Sequence, residues 1–167
     1  QHNIAVLRTV ILEDGTGVSH RMVSVFVFAR HFGADAAMSY AWQAVGALLA
    51  AVFIVRSWWR EEPAHIRNAV LVVGTCLATP YLQDYDLVFG AFVVVWLNLA
   101  EKDSNVPLHW MRGAMALILL LPLVNAPLAK FVGPSVGPLF FLPLFALLIY
   151  LGAEYACKRA GELPAAA

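Results

Sequence analysis

The stretch TPYLQDYDL, Thr79–Leu87, separates two apolar runs, Ile66–Ala78 and Leu87–Ala100. Within it stand two carboxylates, Asp84 and Asp86, and two tyrosines, Tyr81 and Tyr85, with no Lys or Arg. A polar, acidic, aromatic turn between two such runs either caps helices at a membrane surface or touches a substrate there. Pro80 fits the end of the first run, because its ring fixes φ and it has no N–H to continue a helix.

Outward from that turn the chain is too apolar for a soluble domain. Of its 167 residues 61% are hydrophobic and 13% charged, with a mean hydropathy of +0.73. Soluble domains carry about 25% charged residues. The formal net charge is zero, so no basic field attracts nucleic acid. Cys76 and Cys157 have neither metal-ligand spacing nor a disulfide framework, and Cys76 reads as a packing residue inside an apolar run. HExxH, CxxC, P-loop and GxGxxG patterns are absent, so zinc hydrolysis and nucleotide chemistry have no support. No cofactor is expected; a divalent metal is left open, with no carboxylate cluster demanding one.

The expected fold is all-α, a polytopic transmembrane bundle of about five spans. Ala36–Val55 is an uncharged run of about the 20 residues that cross a bilayer core. Tyr40 and Trp42 stand near one end, Trp58 and Trp59 just past the other, as in an aromatic belt. Ile66–Leu82, Leu87–Leu99, Met111–Leu128 and Val136–Ala153 are the further spans, the last two containing prolines that neighbouring helices can accommodate. Before them, Val18–Gly33 is apolar in the middle and charged at its ends, which predicts an interfacial or re-entrant helix capped by Ser19 and Gly33. The layout is therefore an outward-facing segment 1–35, a five-span domain 36–156 and a loose tail 157–167. The start at Gln1, with no signal-peptide pattern, predicts the C-terminal part of a longer protein.

Orientation follows the basic residues. Arg56, Arg60 and Arg67, then Lys102 and Arg112, then Lys158 and Arg159 alternate onto one face, which is expected to be cytoplasmic. The TPYLQDYDL turn, the Phe131–Ser135 loop and segment 1–35 then face outward. Arg8, Arg21 and Arg30 depart from that charge rule and could meet an anionic group outside.

MVSVFVFARHFG (Met22–Gly33), SYAWQ (Ser39–Gln43), a basic loop, TPYLQDYDL and a proline-broken apolar hairpin, in that order, resemble the C-terminal half of glycosyltransferase family 87. The matching order covers about Met22–Tyr150, and the acidic turn is its most specific part. The resemblance implies a GT-C type membrane enzyme that takes mannose, or a related sugar, from a polyprenyl phosphate and passes it to a lipid or glycan acceptor on the outer face. It also implies a bacterial inner-membrane location. Enzymes of this type place their catalytic acid in a first outward loop that this chain lacks; Asp14 does not take that role.

Such a transfer needs a base for the acceptor hydroxyl and a cation for the departing phosphate. Asp86 and Asp84 are the carboxylates on the expected face. Asp86 reads as an N-cap of the third span or as a sugar-binding or catalytic group; Asp84 reads as a solvated loop charge or a substrate ligand. Tyr81 and Tyr85 are interface anchors or sugar-stacking rings. Arg21 and Arg30 either snorkel to headgroups or hold the donor phosphate. His20 is a surface histidine or a base. Gln43 lies inside the first span, where an amide bonds another helix or lines a substrate cavity. The competing reading is a non-catalytic subunit, a carrier of lipid-linked sugar, or an inactive fragment.

Overall fold

The computed structural model describes residues 21–132 and 137–162 and is all-α: α1 (Val25–His31), α2 (Ala36–Trp59), α3 (Ala64–Ala78), a 3-10 segment (Asp84–Phe89) running into α4 (Gly90–Glu101), α5 (Leu108–Val132) and α6 (Gly137–Glu162). No strand occurs among the described residues; one isolated bridge pairs Met22 with Gln83.

The helix boundaries follow from local chemistry. α2 starts at Ala36 because the Asp35 carboxylate accepts a bond from Met38 N–H at 2.7 Å. It ends at Arg60, after which Glu61 turns left-handed at φ +51° and Glu62 N–H reaches back to Ser57 C=O. α3 stops at Thr79, which is extended because Pro80 follows. The acidic turn then starts the 3-10 segment. Gln83 is its N-cap, and the Asp86 carboxylate reaches back to Gln83 N–H at 3.0 Å, a reciprocal box. Asp86 caps from the third position, not from the cap position itself.

The interfacial helix is shorter than expected and sits differently. It begins at Ser24, whose hydroxyl accepts from Val27 N–H, and Ser19 lies outside the described residues. Its end is a Schellman motif: Gly33 N–H bonds Arg30 C=O, Ala34 N–H bonds Ala29 C=O, and Gly33 takes φ +84°. Met22, Val23, Phe26 and Val27 are buried, so α1 and its lead-in are packed against α2 and α6 rather than laid on a lipid surface.

Three helices are long and apolar enough to cross a membrane: α2, α5 over Leu108–Asn125, and α6 over Gly137–Arg159. The expected count of five is not reached. The helix α3 has 15 residues and α4 has 12, or about 22 Å and 18 Å against a hydrocarbon core of about 30 Å. The cause lies in the TPYLQDYDL turn, which ends α3 early and spends its first residues in a 3-10 coil. The three long helices leave most of their surface outside the core, including Leu48, Val52 and Val55 on α2, Leu119 and Leu123 on α5, and Leu142 on α6. Water does not tolerate such continuous apolar faces, and lipid does. The chain is a membrane protein.

The helices alternate in direction, and the two ends of the bundle differ. At the basic end, α6 spans both turns. Arg159 meets Glu61 at 3.4 Å, Glu154 accepts Asn105 N–H at 2.7 Å, and Lys158 and Tyr155 bond Asp103. Glu62 is buried there, accepting from the Ser57 hydroxyl at 2.6 Å and facing Arg56 at 3.4 Å, in the space left by Gly152. The expected loose tail is thus helical through Glu162 and bonded as far as Arg159; residues 163–167 lie outside the described ones. At the opposite end sit α1, the acidic turn and the start of α6, where a Cβ on Gly137 would come within 2.5 Å of Val23 C=O.

Candidate lipid groove and acidic-turn site

The acidic turn is held by the strand-like lead-in to α1. Val23 N–H bonds Leu82 C=O at 2.9 Å, and Arg21 grips Asp84 with Nε at 3.1 and 3.3 Å and Nη2 at 3.1 Å. Asp84 is buried, so the reading of it as a solvated loop charge is corrected: it is the inward half of an ion pair whose guanidinium is half exposed. The bond to Asp84, then its charge, raises the Arg21 pKa above its already high ordinary value, which keeps the guanidinium charged.

Gln43 is buried between three helices. Its carbonyl accepts Phe26 N–H at 3.0 Å, and its amide donates to Leu77 C=O at 2.8 Å. Both partners are helix-end groups without an intrahelical bond. The helical donor to Leu77 C=O would be the N–H of Tyr81, which lies beyond the end of α3. Gln43 therefore stitches the start of α1 and the end of α3 to α2.

The remaining candidates divide. Asp86 is half-buried; one oxygen serves the cap, and the other has no partner among the described residues. Tyr81 and Tyr85 are exposed at the surface of the turn. Arg30 Nη1 donates to Ala34 C=O at 3.1 Å beyond the end of α1. His20 lies outside the described residues. The structure thus brings Arg21, Asp84, Asp86, Tyr81, Tyr85 and Gln43 to one end of the bundle, with Arg30 at the far end of α1.

Beneath α1 lies a feature the sequence does not announce. A cavity of about 720 Å³ runs between α2 and α6, within the range of ligand pockets. Val25, Phe28 and Phe32 of α1 form its roof, Val45 and Leu49 one wall, Leu139 and Leu142 the other. Phe53 and Phe145 meet edge to face at 5.8 Å and close it toward the basic end. No charged residue lines it, and Trp42, Leu49, Leu139 and Leu142 are half exposed along its rim, so it opens sideways onto lipid. Lipid-facing and groove-lining apolar residues look alike in sequence. A second, smaller void of about 30 Å³ between α3, α4, α5 and α6 is apolar. No group of three or more metal-ligating side chains occurs among the described residues.

Comparison with protein-family models, with curated proteins and with solved structures returned no match.

Proposed function

We propose that the protein takes part in sugar transfer from a polyprenyl phosphate, mannose or a related hexose being the sugar and a lipid or glycan the acceptor. The observation that carries this reading is the lateral groove. It is apolar and open to lipid, and it is roofed by a helix with Arg21 before it and Arg30 in its last turn. A polyprenyl chain fits an apolar slot that it enters from the bilayer, and a phosphate suits the guanidinium groups at its head. The acidic turn would then face the sugar. In an inverting transfer the acceptor oxygen bonds the anomeric carbon as the bond to the lipid phosphate breaks. A carboxylate takes the acceptor proton, and the phosphate leaves toward a guanidinium. Asp86, with an oxygen to spare, suits the proton better than Asp84, which Arg21 occupies.

On this reading the acidic turn faces outward and the basic end is cytoplasmic, as in a bacterial inner membrane. The 3-10 segment and α4 together carry an exposed apolar stripe, Val88, Phe92, Val95 and Leu99. With α3 they would form two further, shorter passages, making five.

A second reading, a lipid-linked-sugar carrier or non-catalytic subunit, is favoured by one observation: both carboxylates also serve the fold, Asp84 in an ion pair and Asp86 in a cap.

The test uses the protein in nanodiscs with a photoreactive polyprenyl phosphate and with polyprenyl-phosphate mannose labelled in the sugar. Crosslinks at Leu139, Leu142 or Phe28 and label transfer that Asp86→Asn cuts without loss of folded protein are expected. Crosslinks with no transfer select the carrier. Labelling spread evenly over the lipid-facing helices refutes the groove as a binding site.

A further inference from the structure

The inward stripe of α5 reads Met111, Ile118, Leu121 and then Asn125, all buried and Asn125 with 0% exposure. Neither Nδ2 nor Oδ1 of Asn125 has a hydrogen-bond partner among the described residues. Buried polar groups are bonded as a rule, because an unpaired one keeps its full desolvation cost. Gln43, the other buried amide, obeys the rule with bonds on both its nitrogen and its oxygen. A leucine at 125 would continue the stripe at lower cost, so the amide needs a partner from elsewhere.

Register shows what Asn125 faces. The helix α5 runs antiparallel to the 3-10 segment and α4, and a Cβ on Gly90 would come within 2.5 Å of Ile118 Cγ2, so these two residues are opposite. From Gly90 back to Asp84 the 3-10 coil rises about 12 Å. From Ile118 on to Asn125 the α-helix rises about 10 Å. Asn125 is therefore level with the first turn of the 3-10 segment, whose buried residues are Asp84 and Leu87. Among the described residues the Asp84 carboxylate receives its bonds from Arg21 alone, three contacts across about four lone-pair positions.

An amide that donates and accepts, level with a carboxylate that only accepts, does not suit a phosphate, which also only accepts. It suits a hydroxyl. We propose that Asn125 and Asp84 bind a hydroxyl of the sugar ring, resting on the lipid-linked-sugar reading above and adding to it the residues that recognise the sugar itself. The room needed at this depth is that of one hydroxyl oxygen, and the small apolar void lined by Leu87 and Leu121, about 30 Å³, ends one helical turn away.

The test compares two probes on the protein in nanodiscs: citronellyl phosphate and citronellyl-phosphate mannose. In the wild type the mannosylated probe is expected to bind about 3- to 10-fold tighter, the worth of one or two net hydrogen bonds. Asn125→Leu should remove that difference, leave affinity for citronellyl phosphate unchanged, and melt no lower than wild type, because it deletes an amide with no partner. Asn125→Ala gives the same comparison if Asn125→Leu does not fold. A difference that persists in the variant overturns the proposal. No difference in the wild type overturns it too. In that case binding of citronellyl phosphate leaves the lipid-phosphate reading standing, and binding of neither probe removes both.

Discussion

Replacing Gln43 by leucine tests whether one buried amide holds the site together. The substitution keeps the approximate volume and removes both bonds, to Phe26 N–H at 3.0 Å and to Leu77 C=O at 2.8 Å. Each partner belongs to a helix end and has no intrahelical substitute, and Gln43 is only 4% exposed, so water does not reach them. Two stranded backbone groups at about 1–3 kcal/mol each set the upper range. Interhelical side-chain bonds in membranes average about 0.6 kcal/mol, because the unfolded chain also finds partners there, and set the lower. The expected loss is about 2–4 kcal/mol, since the partners here are fixed at helix ends. Reversible unfolding in mixed micelles, followed by tryptophan fluorescence, measures it. Leu48→Val on the lipid-facing side of α2 is the control, with a change of no more than about 0.5 kcal/mol. A Gln43→Leu variant as stable as that control would refute the view that the amide ties α1 and α3 to α2. In that case α1 would not be a fixed roof over the groove.

Gly137→Ala forces a methyl to within 2.5 Å of Val23 C=O, where backbone rather than a flexible side chain must yield. It should cost about 1–3 kcal/mol in the same assay. Glu61→Gly should gain about 1 kcal/mol by relieving a left-handed residue at φ +51°, since the exposed pair it loses with Arg159 is worth little. A loss of stability would show that the pair outweighs the strain. In a background with Cys76 and Cys157 replaced, a cysteine at Gln83 should label with a membrane-impermeant reagent from outside and one at Lys102 only from inside. The reverse pattern would invert the proposed orientation.

Much of this fold is legible in the order of residues. Ala36 opens α2 because an aspartate precedes an uncharged run, and Pro80 ends α3 because the residue before a proline avoids the helical region. The alternation of basic loops correctly groups Arg56, Lys102 and Lys158 at one end. The contacts that give the candidate site its character join distant positions. Arg21 and Asp84 are 63 residues apart, and neither carries a local signal of the other. The second and third expected spans came out short because periodicity registers an apolar run and not the coil in which it is wound. The 3-10 start at Asp84 depends on a reciprocal cap between Gln83 and Asp86 that hydropathy does not register. Asn125 did carry a signal, an uncharged amide between two prolines in an apolar run. Its lack of a partner, however, is a property of the packed bundle and not of the sequence.

The way α6 bridges both turns at the basic end has a consequence for biogenesis. Ribosomes deliver α1 to α5 first, and during that interval Glu61, Glu62, Asp103 and Asn105 N–H lack the helix that they engage in the finished bundle. The earlier helices can therefore insert, but the rim that joins their turns closes only when the segment from Gly152 to Arg159 arrives. A chain stopped before that point would leave the acidic turns at this end without the partners that α6 brings.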